Sequence, residues 1–414
     1  MALINTWGYD VNYEKITNAF DLLSKICAVM TAAAIVLSTA ATNILFFATV
    51  LFGLAAGNWR AKFDLIVRNP VAIIFLLFYV LFLVGALYST APWPDMLKML
   101  RKYDKFLLAV FFIPLFTEER WRKYAINAFV AAILVMLVAA YLKDFGWLSH
   151  VAKRGSVEVF KPSIEFSFLM AFAGYLCLLR VVTDKRYRWL WVAFLSVVVY
   201  TLLFRSIGRT GQVVFVFLVT LFFIQKLGYR GLILAIISSA LLLGAAYKFS
   251  PVFKERSERV FSDVKVFSQN ENTSVGLRMS FVKNGLKLIK EHPVFGAGTG
   301  SFIHEYTNIT PALVPELLTN NPHNEYVFIA VQFGALGLAM LLLLFGVPIW
   351  YSRLLPEELK HIVHGTVLGI MLGCLANSWL LDTTEGHFYA YFIALAFAAL
   401  PTKNRIIAKT ATTC

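Results

Sequence analysis

The chain has 414 residues, of which 59% are hydrophobic and 15% charged, with a formal net charge of +14. A soluble domain carries about a quarter charged residues, which excludes a water-soluble enzyme. The long runs are apolar all round rather than alternating, which excludes an outer-membrane barrel and leaves an all-α integral membrane protein.

Apolar stretches of bilayer-crossing length, roughly 17 to 25 residues, recur near 20–38, 41–57, 70–89, 103–116, 124–142, 162–180, 189–204, 211–225, 231–247, 325–349, 362–380 and 387–400. They predict about twelve transmembrane helices: helices 1–9 over 1–247, a large hydrophilic loop over 248–324, and helices 10–12 with a tail over 325–414. Asp21 and Lys25 crowd the first run, which reads as a retained span rather than a cleaved signal. Cys27, Cys177, Cys374 and Cys414 show neither metal-ligand spacing nor a disulfide framework.

Charge sets the expected orientation. With the N-terminus inside, the inner connections collect Arg60, Lys62 and Arg68; Arg120, Arg122 and Lys123; Arg180, Lys185, Arg186 and Arg188; Lys226 and Arg230; Arg353 and Lys360. The tail adds Lys403, Arg405 and Lys409. The short loops around Asn43 and Thr383 carry no Lys or Arg, so both termini are expected to be cytoplasmic.

Three outward segments break that rule. In KMLRKYDKFLL, Lys98, Arg101, Lys102 and Lys105 are spaced i, i+3, i+4, i+7 and share one helical face. Lys143, Lys153, Arg154 and Lys161 lie between the fifth and sixth runs, and Arg205 and Arg209 occupy the short turn FRSIGRTGQ. Contacts to anionic headgroups account for any one cluster. Together they fit one anion site built from several segments.

Within the large loop, TSVGLRMSFVKNGLKLIKEHPVFGAGTGSF predicts an amphipathic helix capped by Thr273 or Ser274, with Leu277, Phe281, Leu288 and Ile289 on its apolar side. Gly296, Gly298 and Gly300 are expected to end it in a flexible turn. GAGTG lacks the spacing and the preceding strand of a nucleotide loop. Arg209 and Arg278 both fall near a helix start, where free backbone N–H groups and the helix dipole favour an anion. A guanidinium fork adds bidentate bonds to phosphate oxygens, so the pair predicts a diphosphate site.

NNPHNEYV places His323 at the mouth of the next apolar run, with Asn320, Asn321 and Asn324 available to orient an imidazole. An ordinary histidine titrates near neutrality and suits a general base; a histidine that merely caps the span is the alternative. HNEYV is not HExxH, and no clustered carboxylates offer a divalent-cation site, so no metal is expected. His361 and His364 read as structural, and His292 and His304 as loop residues.

The ordered set RTG at Arg209, GLR at Arg278, HPVFGAGTGSF and PHN at His323 resembles the O-antigen ligase family and its relatives, the O-antigen polymerases and bacterial O-oligosaccharyltransferases. The specific motifs run from about Phe204 to Phe333. The resemblance implies a GT-C-like fold in the bacterial inner membrane and a periplasmic site. It also implies transfer of a glycan from undecaprenyl diphosphate, without metal, nucleotide or cofactor, to a sugar hydroxyl of lipid A–core lipopolysaccharide. His323 would be the base and Arg209, Arg278 and Arg205 the diphosphate ligands, with Arg101, Lys102 and Lys105 as lower-ranked ligands for donor or acceptor phosphate. Membrane lipids are expected neighbours, and no nucleic-acid partner is expected.

Two rivals stand beside this reading. A polymerase uses the same donor but a second lipid-linked glycan as acceptor. It is disfavoured because the loop from Tyr141 to Lys161 is short. A lipid-linked oligosaccharide flippase predicts paired broken helices and charges at membrane depth, neither of which the sequence suggests.

Overall fold

The computed structural model describes residues 13–147, 157–266, 273–309 and 319–401, and every regular element among them is helical. Lys153, Arg154, Lys403, Arg405 and Lys409 lie outside the described residues. The helices are α1 (Tyr13–Leu37), α2 (Thr39–Ala55), α3 (Trp59–Val67), α4 (Pro70–Ala86), α5 (Trp93–Ala109), α6 (Phe112–Leu115), α7 (Glu119–Asp144) and α8 (Ser163–Thr183). Then come α9 (Arg188–Tyr200) with a π-helical turn (Thr201–Arg205), α10 (Arg209–Leu227) and α11 (Tyr229–Phe249). The loop region supplies α12 (Pro251–Val266), α13 (Ser274–Glu291) and α14 (Phe302–Ile309), and the chain continues through α15 (Glu325–Tyr351), α16 (Glu357–Gly373) and α17 (Thr383–Phe397).

Among the described residues, seven helices are long and apolar enough to cross a membrane, or eight if α3 and α4, bent by 85°, count as one span. The chain is therefore an all-α, multi-pass membrane protein. Each of the predicted runs overlaps a helix, but the run over 103–116 is divided between α5 and α6, the run over 362–380 outlasts α16, and α2, α5, α16 and α17 have only 15 to 17 residues. Local chemistry divides the long runs. Asn69 accepts from the N–H groups of Val71 and Ala72 and Pro70 follows it, so α4 starts sharply.

Peripheral and central helices differ in what they expose. On α11, Ile233, Ile236 and Leu241 are exposed, an apolar surface suited to lipid. By contrast α17 is buried from Thr384 to Phe397, as expected of a helix apolar all round that is enclosed by others. Its buried tyrosines find backbone acceptors on neighbouring helices. Tyr389 Oη donates to Leu344 O at 2.6 Å and Tyr391 Oη to Ala28 O at 2.7 Å, tying α17 to α15 and α1.

The amphipathic helix forms as α13, capped by Thr273, whose hydroxyl accepts from Gly276 N at 3.0 Å. Phe281 and Leu288 are buried beneath it. The glycine segment after it is not a flexible turn. It is a packed insert between α4 and α15. Ala297 N and Gly298 N donate to Val331 O and Gln332 O, while Ala335 N and Leu336 N donate to Pro293 O and Val294 O. Thr299 N reaches back to Gly85 O on α4 at 3.1 Å, and Thr299 Oγ1 to Phe82 O at 2.6 Å.

Those bonds exist because α15 is broken. Gly334 takes φ 60° and ψ −147°, which opens the helical ladder and frees carbonyls that the insert then satisfies. The sequence did not suggest a broken span, because a single glycine in an apolar run carries no such signal. The break is filled by the chain's own loop.

Gly298 lies at φ +91°, and a Cβ there would collide with the Ser89 backbone and Gly85 O. Gly298→Ala is expected to cost about 2–4 kcal/mol through strain and overpacking. Gly244→Ala is the control, since a Cβ there meets nothing within 4 Å. Thermal unfolding in detergent reads the difference; equal Tm values for the two variants would refute the packed-insert reading.

Candidate functional site at the mouth of α15

Three segments converge outside the first turn of α15: the approach loop 319–324, the first half of α13, and the loop between α16 and α17. Their cavity has a volume of about 640 Å³. Arg278, His323 and Leu375 line it, and Lys283, Lys287 and Lys290 extend the wall along α13.

His323 sits at φ 51°, an uncommon conformation for a residue with a side chain. Side chains around it hold that backbone. Asn321 Oδ1 accepts from His323 N at 2.8 Å and from Ser378 Oγ at 2.6 Å. Asn324 Oδ1 caps α15 by accepting from Val327 N, and its amide donates to Leu375 O. Asn321 and Asn324 thus orient the histidine through its backbone rather than through its ring. The ring lies nearly parallel to Phe281, 6.1 Å between centroids at 27°, and its nitrogens make no hydrogen bond among the described residues.

The electrostatics favour a neutral imidazole beside fixed cations. Burial, followed by the charge of Arg278, lowers the His323 pKa from its ordinary 6.5. Arg278 is half-buried, and burial followed by the charge of Arg209 pulls its pKa down as well. A guanidinium remains charged regardless. Asn377 links the two arginine segments: Arg278 Nη2 makes a long contact of 3.5 Å to its Oδ1, and its Nδ2 lies 3.4 Å from Thr210 Oγ1. Arg209, the first residue of α10, is therefore within electrostatic reach of Arg278, and Arg278 of His323. Two cations held together at a helix start are a receptor for a multiply charged anion.

The other predicted residues are placed differently. Arg205 closes the π-helical turn, and its Nη2 pairs with both carboxylate oxygens of Asp144 at 2.5 and 2.6 Å. Lys105 is 1% exposed and its ammonium donates to Leu380 O at 2.9 Å and Asp382 O at 2.7 Å. It ties down a loop instead of facing solvent with its helical neighbours. Arg101 and Lys102 line a separate cavity on α5. Lys161 is buried against Thr39 and Thr384. His361 and His364 lie in the first half of α16, away from the α16–α17 loop, among structural hydrogen bonds such as that between His364 Nε2 and Ser352 Oγ at 2.9 Å. Among the described residues no three His, Cys, Asp or Glu side chains group as a metal site.

Sequence reasoning missed the α16–α17 loop and the carboxylate that anchors it. Glu325 is wholly buried at the start of α15. It accepts from Tyr103 Oη at 2.6 Å, Leu380 N at 3.1 Å and Leu381 N at 3.4 Å. With Lys105 gripping the carbonyls of that loop, Glu325 fixes the segment that presents Asn377 to Arg278 and Ser378 to Asn321. The signal was present in NSWLLDTTEGH, a polar cluster between two apolar runs that is too rich for a plain connection.

The structure is thus an all-helical membrane protein with a pocket at the mouth of a span that combines Arg278, three lysines and His323. Residues 194–342 match the O-antigen ligase (Wzy_C) family. That segment holds Arg205, Arg209, Arg278 and His323 but not Arg101, Lys102 or Lys105. An uncharacterised protein of Haemophilus influenzae is 29% identical over 140 residues, 32% of this chain and 35% of that protein. The chain thus spans about a third of that relative's length.

Glu325→Ala would leave Tyr103 Oη and two backbone N–H groups without their acceptor, at about 1–3 kcal/mol for each buried group. Glu325→Gln keeps an acceptor for the backbone and a donor for the tyrosine. The expected order of thermal stability is wild type, Gln, then Ala, read by unfolding in detergent. An alanine variant as stable as the glutamine variant would rule out the anchoring role.

Proposed function

We propose that the protein is an O-antigen ligase that moves a glycan from undecaprenyl diphosphate to a sugar hydroxyl of lipid A–core, on the periplasmic face of the inner membrane. One observation carries the reading: Arg278 and His323 line one pocket, with Arg209 in electrostatic reach, inside the segment that matches the O-antigen ligase family. The resemblance adds the GT-C-like architecture, and the apolar runs and charge pattern of the sequence add about twelve spans with both termini in the cytoplasm.

The reaction is a direct, inverting displacement. The acceptor oxygen bonds to the anomeric carbon as the bond from that carbon to the diphosphate oxygen breaks. The electron pair leaves with the diphosphate, and the acceptor's proton passes to an imidazole nitrogen of His323. Arg209 and Arg278 stabilise the charge growing on the leaving group, which no metal or nucleotide need supply. Arg205, Arg101, Lys102 and Lys105 rank below these three: Arg205 is committed to Asp144 and Lys105 to backbone carbonyls.

The polymerase rival shares this donor chemistry and differs in the acceptor. Offering purified protein lipid A–core and a second lipid-linked glycan in competition decides between them. Exclusive elongation of the second glycan is the outcome against a ligase.

His323→Ala should retain donor binding and lose about 10²- to 10⁴-fold in turnover per folded molecule. Turnover within about threefold of wild type would mean that the base lies elsewhere. Arg278→Ala should instead weaken donor binding about tenfold or more, with poor rescue by lysine.

The pH dependence follows from the sign of the histidine shift. The base must be neutral, and its pKa is lowered from 6.5, so the acid limb of kcat/KM should fall below pH 6.5. A limb above that value counts against His323 as the base.

A further inference from the structure

A second cavity, of about 770 Å³, lies between α2, α5 and the start of α17. Its polar wall is Lys98, Arg101 and Lys102, and its apolar wall includes Phe47, Leu97 and Leu108. Phe47 is 59% exposed, so this groove opens sideways onto the apolar perimeter of the bundle. The three cations lie within four residues of helix, about 6 Å of rise, and so present one compact positive patch. Among the described residues none of them forms an ion pair. Asp104 is the carboxylate on this wall, and Lys105, also beside it, is spent on the carbonyls of Leu380 and Asp382.

The groove leads towards the base. A smaller cavity of about 210 Å³ shares Lys98 and Lys102 with it, sets Asp95 and Asp382 beside them, and reaches Asn320 and Asn321. Asn321 is the residue whose side chain holds the His323 N–H at 2.8 Å. His323 itself lines the pocket with Arg278, which Leu375 and Ala376 complete. One cavity thus contains the histidine, and a second, from the side of α5, reaches the asparagine that holds its N–H. A displacement needs that layout, because the incoming oxygen and the departing diphosphate occupy opposite faces of one carbon.

We propose that the groove of Lys98, Arg101 and Lys102 seats the acceptor: a membrane-anchored saccharide bearing phosphate or carboxylate groups, whose lipid lies along Phe47 and whose hydroxyl reaches His323 past Asn320 and Asn321. This rests on the glycosyl-transfer reading and divides its two lipids between two cavities. It also places acceptor recognition outside residues 194–342, so that chains sharing the donor chemistry differ in what they accept.

The test uses the full chain in nanodiscs and the variant K98Q/R101Q/K102Q. The probes are fluorescent lipid A–core, the same glycolipid after phosphatase treatment, and undecaprenyl diphosphate. The variant should bind lipid A–core about tenfold or more weakly, as expected from losing charge-assisted contacts. Its affinity for undecaprenyl diphosphate should stay within about twofold. Wild type should prefer the untreated glycolipid, and the variant should lose that preference.

A matching loss of donor affinity would assign the groove to the donor, and unchanged affinity for all probes would show a solvated face; either overturns the proposal. So would equal displacement of the glycolipid by phosphatidylglycerol, which would make the patch a general headgroup contact. Binding is read without turnover, so an inactive protein that still shows this pattern separates failure of the transfer reading from failure of this one.

Discussion

The carboxylate of Glu325 is the constraint on which the site depends. It is removed from solvent at the top of α15 and accepts three hydrogen bonds, one from α5 and two from the loop before α17. A buried carboxylate is tolerated only when its lone pairs are satisfied, so those segments are held where the bonds require them. Lys105 reinforces this from the opposite polarity by donating to carbonyls of the same loop. Asn377 and Ser378 are thereby set against Arg278 and Asn321. The arrangement around His323 is a consequence of buried polar contacts one layer below it.

The site itself is sparsely furnished. His323 is aimed by its backbone conformation, by Asn321 and by the nearby ring of Phe281, and among the described residues no acid bonds to its ring. Burial favours the neutral ring, and the neighbouring charge of Arg278 does the same.

Helix positions were legible because apolar runs and their caps are local properties. Asn69–Pro70 and Thr273 mark their helix starts in sequence and do so in the structure. The grouping of Arg209, Arg278 and His323 was suggested by three separate motifs, but their approach depends on Asn377, which no motif flagged. Lys105 shows the limit of helical-face reasoning. It shares a face with Lys98, Arg101 and Lys102, yet one turn further along that face has passed from the mouth of the groove into the packed bundle. The Arg205–Asp144 pair was illegible for a different reason, since its partners are 61 residues apart and meet only when α7 and α9 are packed.

The break in α15 has a consequence for how the protein comes apart. Residues 293–300 occupy a gap in a helix that would otherwise expose carbonyls in an apolar setting, and α15 in turn supplies the insert with nearly all of its backbone partners on that side. Neither can be lost alone without leaving several unmet hydrogen bonds, each costing several kcal/mol in hydrocarbon. The glycine segment and the helices it bridges are therefore expected to melt as one cooperative unit, and the segment behaves as part of the span's own core although it lies outside that span in the chain.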